Sequence, residues 1–113
     1  MPTPKPGQPV RGSQSGRPIM ALLDLLGRRW TLRIIWELRE ETLNFNELQG
    51  RCDKMSSSVL TQRLNELREA LIVEQNQEGN YRLSQEGKEL IAAFAPLNEW
   101  AKIWADKIEV LRG

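Results

Sequence analysis

Histidine is absent from the 113 residues and cysteine occurs once, at Cys52. Without histidine and with a single cysteine, one chain cannot build a His/Cys zinc site, a Ser-His-Asp or Cys-His catalytic set or a disulfide framework. Long apolar runs are missing as well. No stretch approaches the roughly 20 residues a membrane helix needs, and the first residues lack the apolar core of a secretory signal. A cytoplasmic protein with no membrane partner is the expectation. Charge of one sign is also lacking, since sixteen Lys and Arg oppose fifteen Asp and Glu for a formal net charge of +1. Such a balance neither announces a nucleic-acid partner nor forbids one, so any basic face has to be built by folding. Neither a phosphate-binding glycine loop nor a paired-carboxylate motif stands out, which predicts a non-enzyme without cofactor or metal.

What is present is enough for one compact domain and too little for two. Five of the six prolines fall within the first 18 residues, mixed with Gly7, Gly12, Ser13, Ser15 and Gly16. Residues 1–17 are therefore expected to form a flexible tail, because they cannot bury enough apolar surface to offset ordering. The tail carries Lys5, Arg11 and Arg17 and no acid. It reads either as an idle end or as a basic arm that touches phosphates. Residues 18–113 form the expected domain.

Ile19, Leu22, Leu23 and Leu26 follow helical spacing, and Gly27 is placed to stop that helix. A second helix starts near Arg28 to Trp30, carries Trp30, Ile34, Ile35 and Leu38 on one stripe, and is expected to end by about Glu41. Asn44 followed by Glu47 has the form of a capping box, opening a short helix anchored by Phe45 and Leu48. Ser56 can cap a fourth helix running to about Ala70, with Met55 placed to staple onto Leu60. Its apolar positions Leu60, Leu64, Leu67 and Leu71 form one narrow stripe, so Ser58, Thr61, Gln62 and Asn65 lie away from it. Leu71, Ile72 and Val73 then read as a strand, Asn76 to Asn80 as a turn, and Tyr81 with Leu83 as a second strand. Ser84 caps a final helical region in which Pro96 predicts a kink or two abutting helices.

Helix, helix, short helix, longer helix, hairpin and terminal helices, in that order, describe a mainly α chain with a small β-hairpin. This is the order of a winged helix-turn-helix, whose second motif helix enters the DNA major groove and whose hairpin is the wing. The residues Leu25-Leu26-Gly27-Arg28-Arg29-Trp30-Thr31-Leu32, Phe45-Asn46-Glu47-Leu48, Leu60 to Leu67 and Tyr81 to Gly87 also resemble the HxlR-type bacterial transcriptional regulators. That resemblance spans about residues 18–105 and implies a homodimeric DNA-binding repressor or activator. Family members often carry a cysteine before the proline that opens the first helix, whereas here Arg17 precedes Pro18, so thiol sensing at that position is unavailable.

On this reading Ser57, Ser58, Thr61, Gln62 and Asn65 are the base-contact candidates, with Gln62 foremost because a carboxamide can pair bidentately with adenine. The bland alternative is a solvated helix face. Arg28, Arg29, Arg51, Lys54, Arg63 and Arg82 are the phosphate candidates, since each gains from counterion release near a duplex. Each is also an ordinary solvated side chain on its face value, because eight bases meet seven acids over residues 28–69. Leu97, Trp100, Ala101, Trp104, Ile108 and Leu111, with Leu22 of the first helix, make a stripe too apolar for so small a body, which predicts dimerisation through the terminal helices. Purely intramolecular packing is the alternative. Trp36 and Trp100 could instead line a pocket for a small-molecule effector. Cys52 reads as an inert half-buried side chain, or as a redox-active thiol lowered in pKa by Arg51, Lys54 and the following helix terminus. The expected function is a sequence-specific DNA-binding regulator acting as a homodimer on a pseudo-palindromic operator. The alternative is a winged-helix protein–protein interaction module that does not bind DNA.

Overall fold

A computed structural model describes residues 3–10 and 16–112. The expected tail is thus described only in part, and Arg11 lies outside the described residues. Helix α1 (Pro18–Leu26) opens on Pro18, whose missing N–H costs nothing in a first turn, and closes at Gly27. Trp30 adopts φ 77° to launch α2 (Thr31–Glu37). This helix stops short of the expected Glu41. The Leu38 amide folds back onto the Ile34 and Ile35 carbonyls, and the chain turns so that Leu43 can exchange two hydrogen bonds with Tyr81, at 2.9 and 2.8 Å.

Helix α3 (Phe45–Arg51) carries the capping box in full: Asn44 Oδ1 accepts from the Glu47 amide at 2.8 Å, and Glu47 Oε1 accepts from the Asn44 amide at 3.0 Å. Helix α4 (Ser57–Glu69) is capped by Ser56, whose Oγ accepts from the Val59 amide. Met55 and Leu60 are both buried in the core, as a hydrophobic staple requires. α4 ends in a Schellman arrangement, with the Ile72 amide donating to Leu67 and the Leu71 amide to Arg68. Leu71 sits in the left-handed position at φ 65°, exposed, so the first strand begins at Val73 rather than at Leu71.

Strands β1 (Val73–Gln75) and β2 (Tyr81–Leu83) pair antiparallel, Val73 opposite Leu83 and Gln75 opposite Tyr81. Ser84 follows and caps α5 (Gln85–Ala93), its Oγ accepting from the Gly87 amide and donating back to the carbonyls of the α4–β1 junction. Gly87 is required there: a Cβ would stand 2.2 Å from the Ile72 carbonyl oxygen. α6 (Ala95–Arg112) abuts α5 across Phe94, with Pro96 in its first turn, so the terminal region is two helices. One core, from Leu25 and Ile34 through Leu48, Leu60, Leu64 and Leu67 to Val73 and Leu83, joins α1–α5 and the hairpin. Among the described residues no helix is long and apolar enough to cross a membrane.

Candidate nucleic-acid interface

α4 buries Leu60, Leu64 and Leu67 and leaves Ser57, Ser58, Thr61, Gln62 and Asn65 exposed. At about 100° per residue, Ser58, Thr61, Gln62 and Asn65 share the face opposite the leucines, and Ser57 stands at the helix start. Thr61 Oγ1 donates to the Ser57 carbonyl at 2.9 Å, and the Ser58 and Ser56 hydroxyls are hydrogen-bonded at 2.9 Å. Gln62 and Asn65 project uncharged carboxamides beside them, so the amino-terminal half of α4 offers donors and acceptors without a fixed charge. The described part of the tail runs alongside: Thr3, Lys5 and Gln8 line an open cleft of about 560 Å³ with Ser58, Thr61, Gln62 and Asn65.

The turn that presents α4 is tight. Asp53 and Lys54 both have left-handed backbones, at φ 58° and 57°. Gln49 clamps the far side by donating from Nε2 to the Met55 carbonyl at 2.8 Å. Arg33 of α2 reaches across to the Arg51 carbonyl, to Asp53 and to Glu37, binding the turn to the scaffold. Behind α4 the wing is short and braced, Asn76 Oδ1 accepting from the amides of Glu78 and Asn80.

The six phosphate candidates separate once placed. Lys54, at the turn, and Arg29, 5.7 Å from the Trp30 ring centroid, are exposed and carry no carboxylate partner among the described residues. Arg82 is exposed on β2 and pairs with Glu74 at 2.8 Å, and Arg51 pairs with Glu41. Exposed pairs of that kind are worth little and can be exchanged for a phosphate. Arg63 is mostly covered, held by Glu66 and by the Arg29 carbonyl. Arg28 departs from expectation outright: its guanidinium is buried against Glu66 and Asp24, so it faces inward and is not retained among the phosphate-facing cations.

A helix-turn-helix with an exposed second helix and a hairpin behind it is the geometry that the comparisons with known proteins also find. The family described as HxlR-like helix-turn-helix matches residues 25–109. The chain belongs to this family. The HTH-type transcriptional regulator YvaP of Bacillus subtilis is 29% identical over 90 residues, covering 74% of this chain and 83% of its own. The quinone-bound crystal structure of YodB from B. subtilis superposes with a TM-score of 0.69 at 32% identity, over 74% of this chain and 93% of that one. An HxlR family transcriptional factor from Thermoplasma volcanium gives a TM-score of 0.65 at 26% identity, over 79% and 85% of the two chains. This HxlR-like chain is accordingly a transcriptional regulator of helix-turn-helix type, and DNA binding is what its family implies. The relatives named are regulators.

Beyond the motif, the HxlR-like chain exposes an apolar surface on its terminal helix. Leu97, Trp100, Trp104 and Leu111 are exposed, Ala101, Ile108 and Leu22 half-buried, and the Trp100 and Trp104 rings stack with centroids 5.8 Å apart. Leu32 and Trp36 of α2 face a neighbouring cleft of about 390 Å³, closed on the other side by Ile91, Phe94 and Leu97. Of the two indoles expected together around a pocket, Trp36 lines this cleft and Trp100 does not, stacking instead on Trp104.

Cys52 caps α3 and is fully buried in the core. Burial pushes its thiol up to about 11; Arg33 opposes the shift, and Glu37 and Asp53 add to it. That is the opposite sign from a thiol activated by Arg51 and Lys54, both of which point to solvent. Among the described residues no group of three or more acidic or thiol side chains could hold a metal.

Sequence reasoning missed the Asp24–Arg28–Glu66–Arg63 cluster and the placement of Lys5 beside α4. The first had a faint signal, since Glu66 follows Arg63 by three positions on a flank of the leucine stripe. The second had none, because a Pro/Gly-rich segment shows no register.

Proposed function

We propose that this HxlR-like regulator binds a pseudo-palindromic operator as a homodimer, each protomer laying the start of α4 in a major groove. The observation that carries this reading is the exposed, uncharged, hydrogen-bonding face of Ser57, Ser58, Thr61, Gln62 and Asn65 at the amino-terminal end of a helix held by a tight turn. Base edges are read by such groups; Gln62 is assigned to adenine, and Asn65 has the same chemistry one turn nearer the carboxyl end. Lys54, Arg29, Arg51 and Arg82 take the phosphates, whereas Arg63, mostly covered and held by Glu66 and the Arg29 carbonyl, is not assigned to one. Lys5, on the stretch of chain beside the reading face, adds one more cation from the tail.

The homodimer is supported by the exposed indoles and aliphatic side chains of α6, together with Ile19, Leu22 and Leu23 of α1. Pairing them would shield apolar area from water at about 25 cal/mol per Å² and set two α4 helices on one face of the duplex, about 34 Å apart. The apolar cleft beside Trp36 is suited to an effector, and Arg33 on its wall also holds the turn before α4, which would connect occupancy to DNA reading.

Titration of a duplex against salt tests the function. DNA binding predicts that log affinity falls linearly with log salt, that Gln62→Ala relaxes sequence preference, and that Arg82→Ala weakens all sequences alike and lowers the slope by about one. A flat response would identify the protein–protein module instead.

A further inference from the structure

Of the two acids on α4, Glu69 is exposed and Glu66 is buried, at 5% exposure. The two oxygens of Glu66 have separate partners: Oε2 accepts from Arg28 Nη1, and Oε1 accepts from Arg63 Nη1 at 2.8 Å. Arg63 also donates through Nε to the Arg29 carbonyl at 2.8 Å, and Arg28 Nη2 lies 3.8 Å from Asp24 of α1. One edge of α4 is thereby tied to the end of α1 and to the turn before α2.

Stability is a weak reason for such a cluster. Desolvating the charges consumes much of their attraction, and apolar residues of similar volume would hold the helix about as well. What the cluster adds is direction. Leu60, Leu64 and Leu67 keep α4 on the core, but apolar contact is non-directional and tolerates a roll of the helix about its axis. Hydrogen bonds to both oxygens of one buried carboxylate do not. Glu66 stands one turn beyond Gln62 on the same flank. A roll of about 20° would carry a side-chain tip about 6 Å from the axis through about 2 Å. A bidentate carboxamide–adenine pair does not survive a displacement of that size.

We infer that Glu66, gripped by Arg28 and Arg63, is a positioning residue that sets the roll of α4 and so decides which bases Gln62 and its neighbours read. The inference rests on the DNA-reading role proposed above. It assigns to the cluster sequence preference rather than general affinity.

Wild-type protein, Glu66→Gln and Arg63→Lys are each used to select duplexes from a random library, alongside thermal melting and titration with a fixed unrelated duplex. Glu66→Gln keeps the volume and removes the charge; Arg63→Lys keeps the charge and removes the bond to the Arg29 carbonyl. Both folded variants are expected to bind the unrelated duplex within about twofold of wild type while losing roughly 5- to 100-fold in preference for the wild-type site. If both fold and keep the wild-type preference, the inference is overturned even when melting temperatures fall, because a purely structural role predicts that pattern. Should Glu66→Gln fail to fold, Arg63→Lys decides alone. A wild-type protein that enriches no sequence overturns the DNA-reading role and this inference together, whereas unchanged variants of a selective wild type overturn this inference only.

Discussion

A thiol-specific chromogenic disulfide added to the native protein at pH 7.4 should find Cys52 unreactive. The thiolate is the attacking species, and a thiol pushed up to about 11 is ionised in about one molecule in 4,000 at that pH. An ordinary thiol near 8.5 would be ionised in about one in 14, so the shift, with burial as its largest cause, lowers the reactive fraction about 300-fold. The side chain also has no exposed surface, so reagent reaches it only when α3 and the turn before α4 open. Absorbance is followed first in native buffer and then in denaturant, with a labelling rate at least about 300-fold lower in the native state as the expected result. Native labelling within tenfold of the denatured rate would show an accessible, ionisable thiol and restore Cys52 as a redox candidate. The same shift has a pH consequence. The unfolded chain ionises its thiol first, from about pH 8.5, so stability should fall by about 1.4 kcal/mol per pH unit from there toward pH 11, with no contribution from this group at lower pH.

Three substitutions test the packing. Gly87→Ala places a Cβ 2.2 Å from the Ile72 carbonyl oxygen and forces α5 off the hairpin, so it should cost about 3 kcal/mol and lower the melting temperature by more than 10 °C, on the order expected for a domain this size. Leu71→Gly relieves an exposed left-handed leucine at a Schellman position and should raise stability by about 1 kcal/mol in a denaturant titration; a loss would show that Leu71 packs on something the strain argument ignores. Thr31 is fully buried and its hydroxyl has no hydrogen-bond partner among the described residues, so Thr31→Val should be neutral or stabilising by about 1 kcal/mol; a marked drop in melting temperature would mean the hydroxyl is satisfied.

Local chemistry is legible in the sequence. The Asn44–Glu47 capping box, the Ser56 cap, the Asn76–Asn80 turn and the break at Pro96 each depend on residues within a few positions of one another, and each is found where the spacing puts it. The face of α4 was legible for the same reason, since leucine periodicity fixes which residues point outward. What escaped depends on tertiary context. α2 ends early because Leu43 is drawn to Tyr81, 38 positions away in the chain, and Arg28 turns inward because Glu66 lies at the same separation. A formal charge in the sequence does not say whether it is desolvated, so Arg28 and Lys54 looked alike although one is buried and the other exposed. For Cys52 the sequence left open an inert half-buried side chain or a thiol activated by Arg51 and Lys54, because it does not show that the neighbours in space are core side chains.

If the exposed face of α4 reads DNA in a twofold pair, the duplexes it prefers carry the same symmetry. Selection of duplexes from a random library by the purified wild-type protein, followed by sequencing of the enriched pool, tests it most directly. Inverted repeats are expected, with half-sites about one helical turn, some 10 base pairs, apart and two protomers bound per duplex. An unenriched pool, or enriched sites without twofold symmetry, would contradict twofold reading.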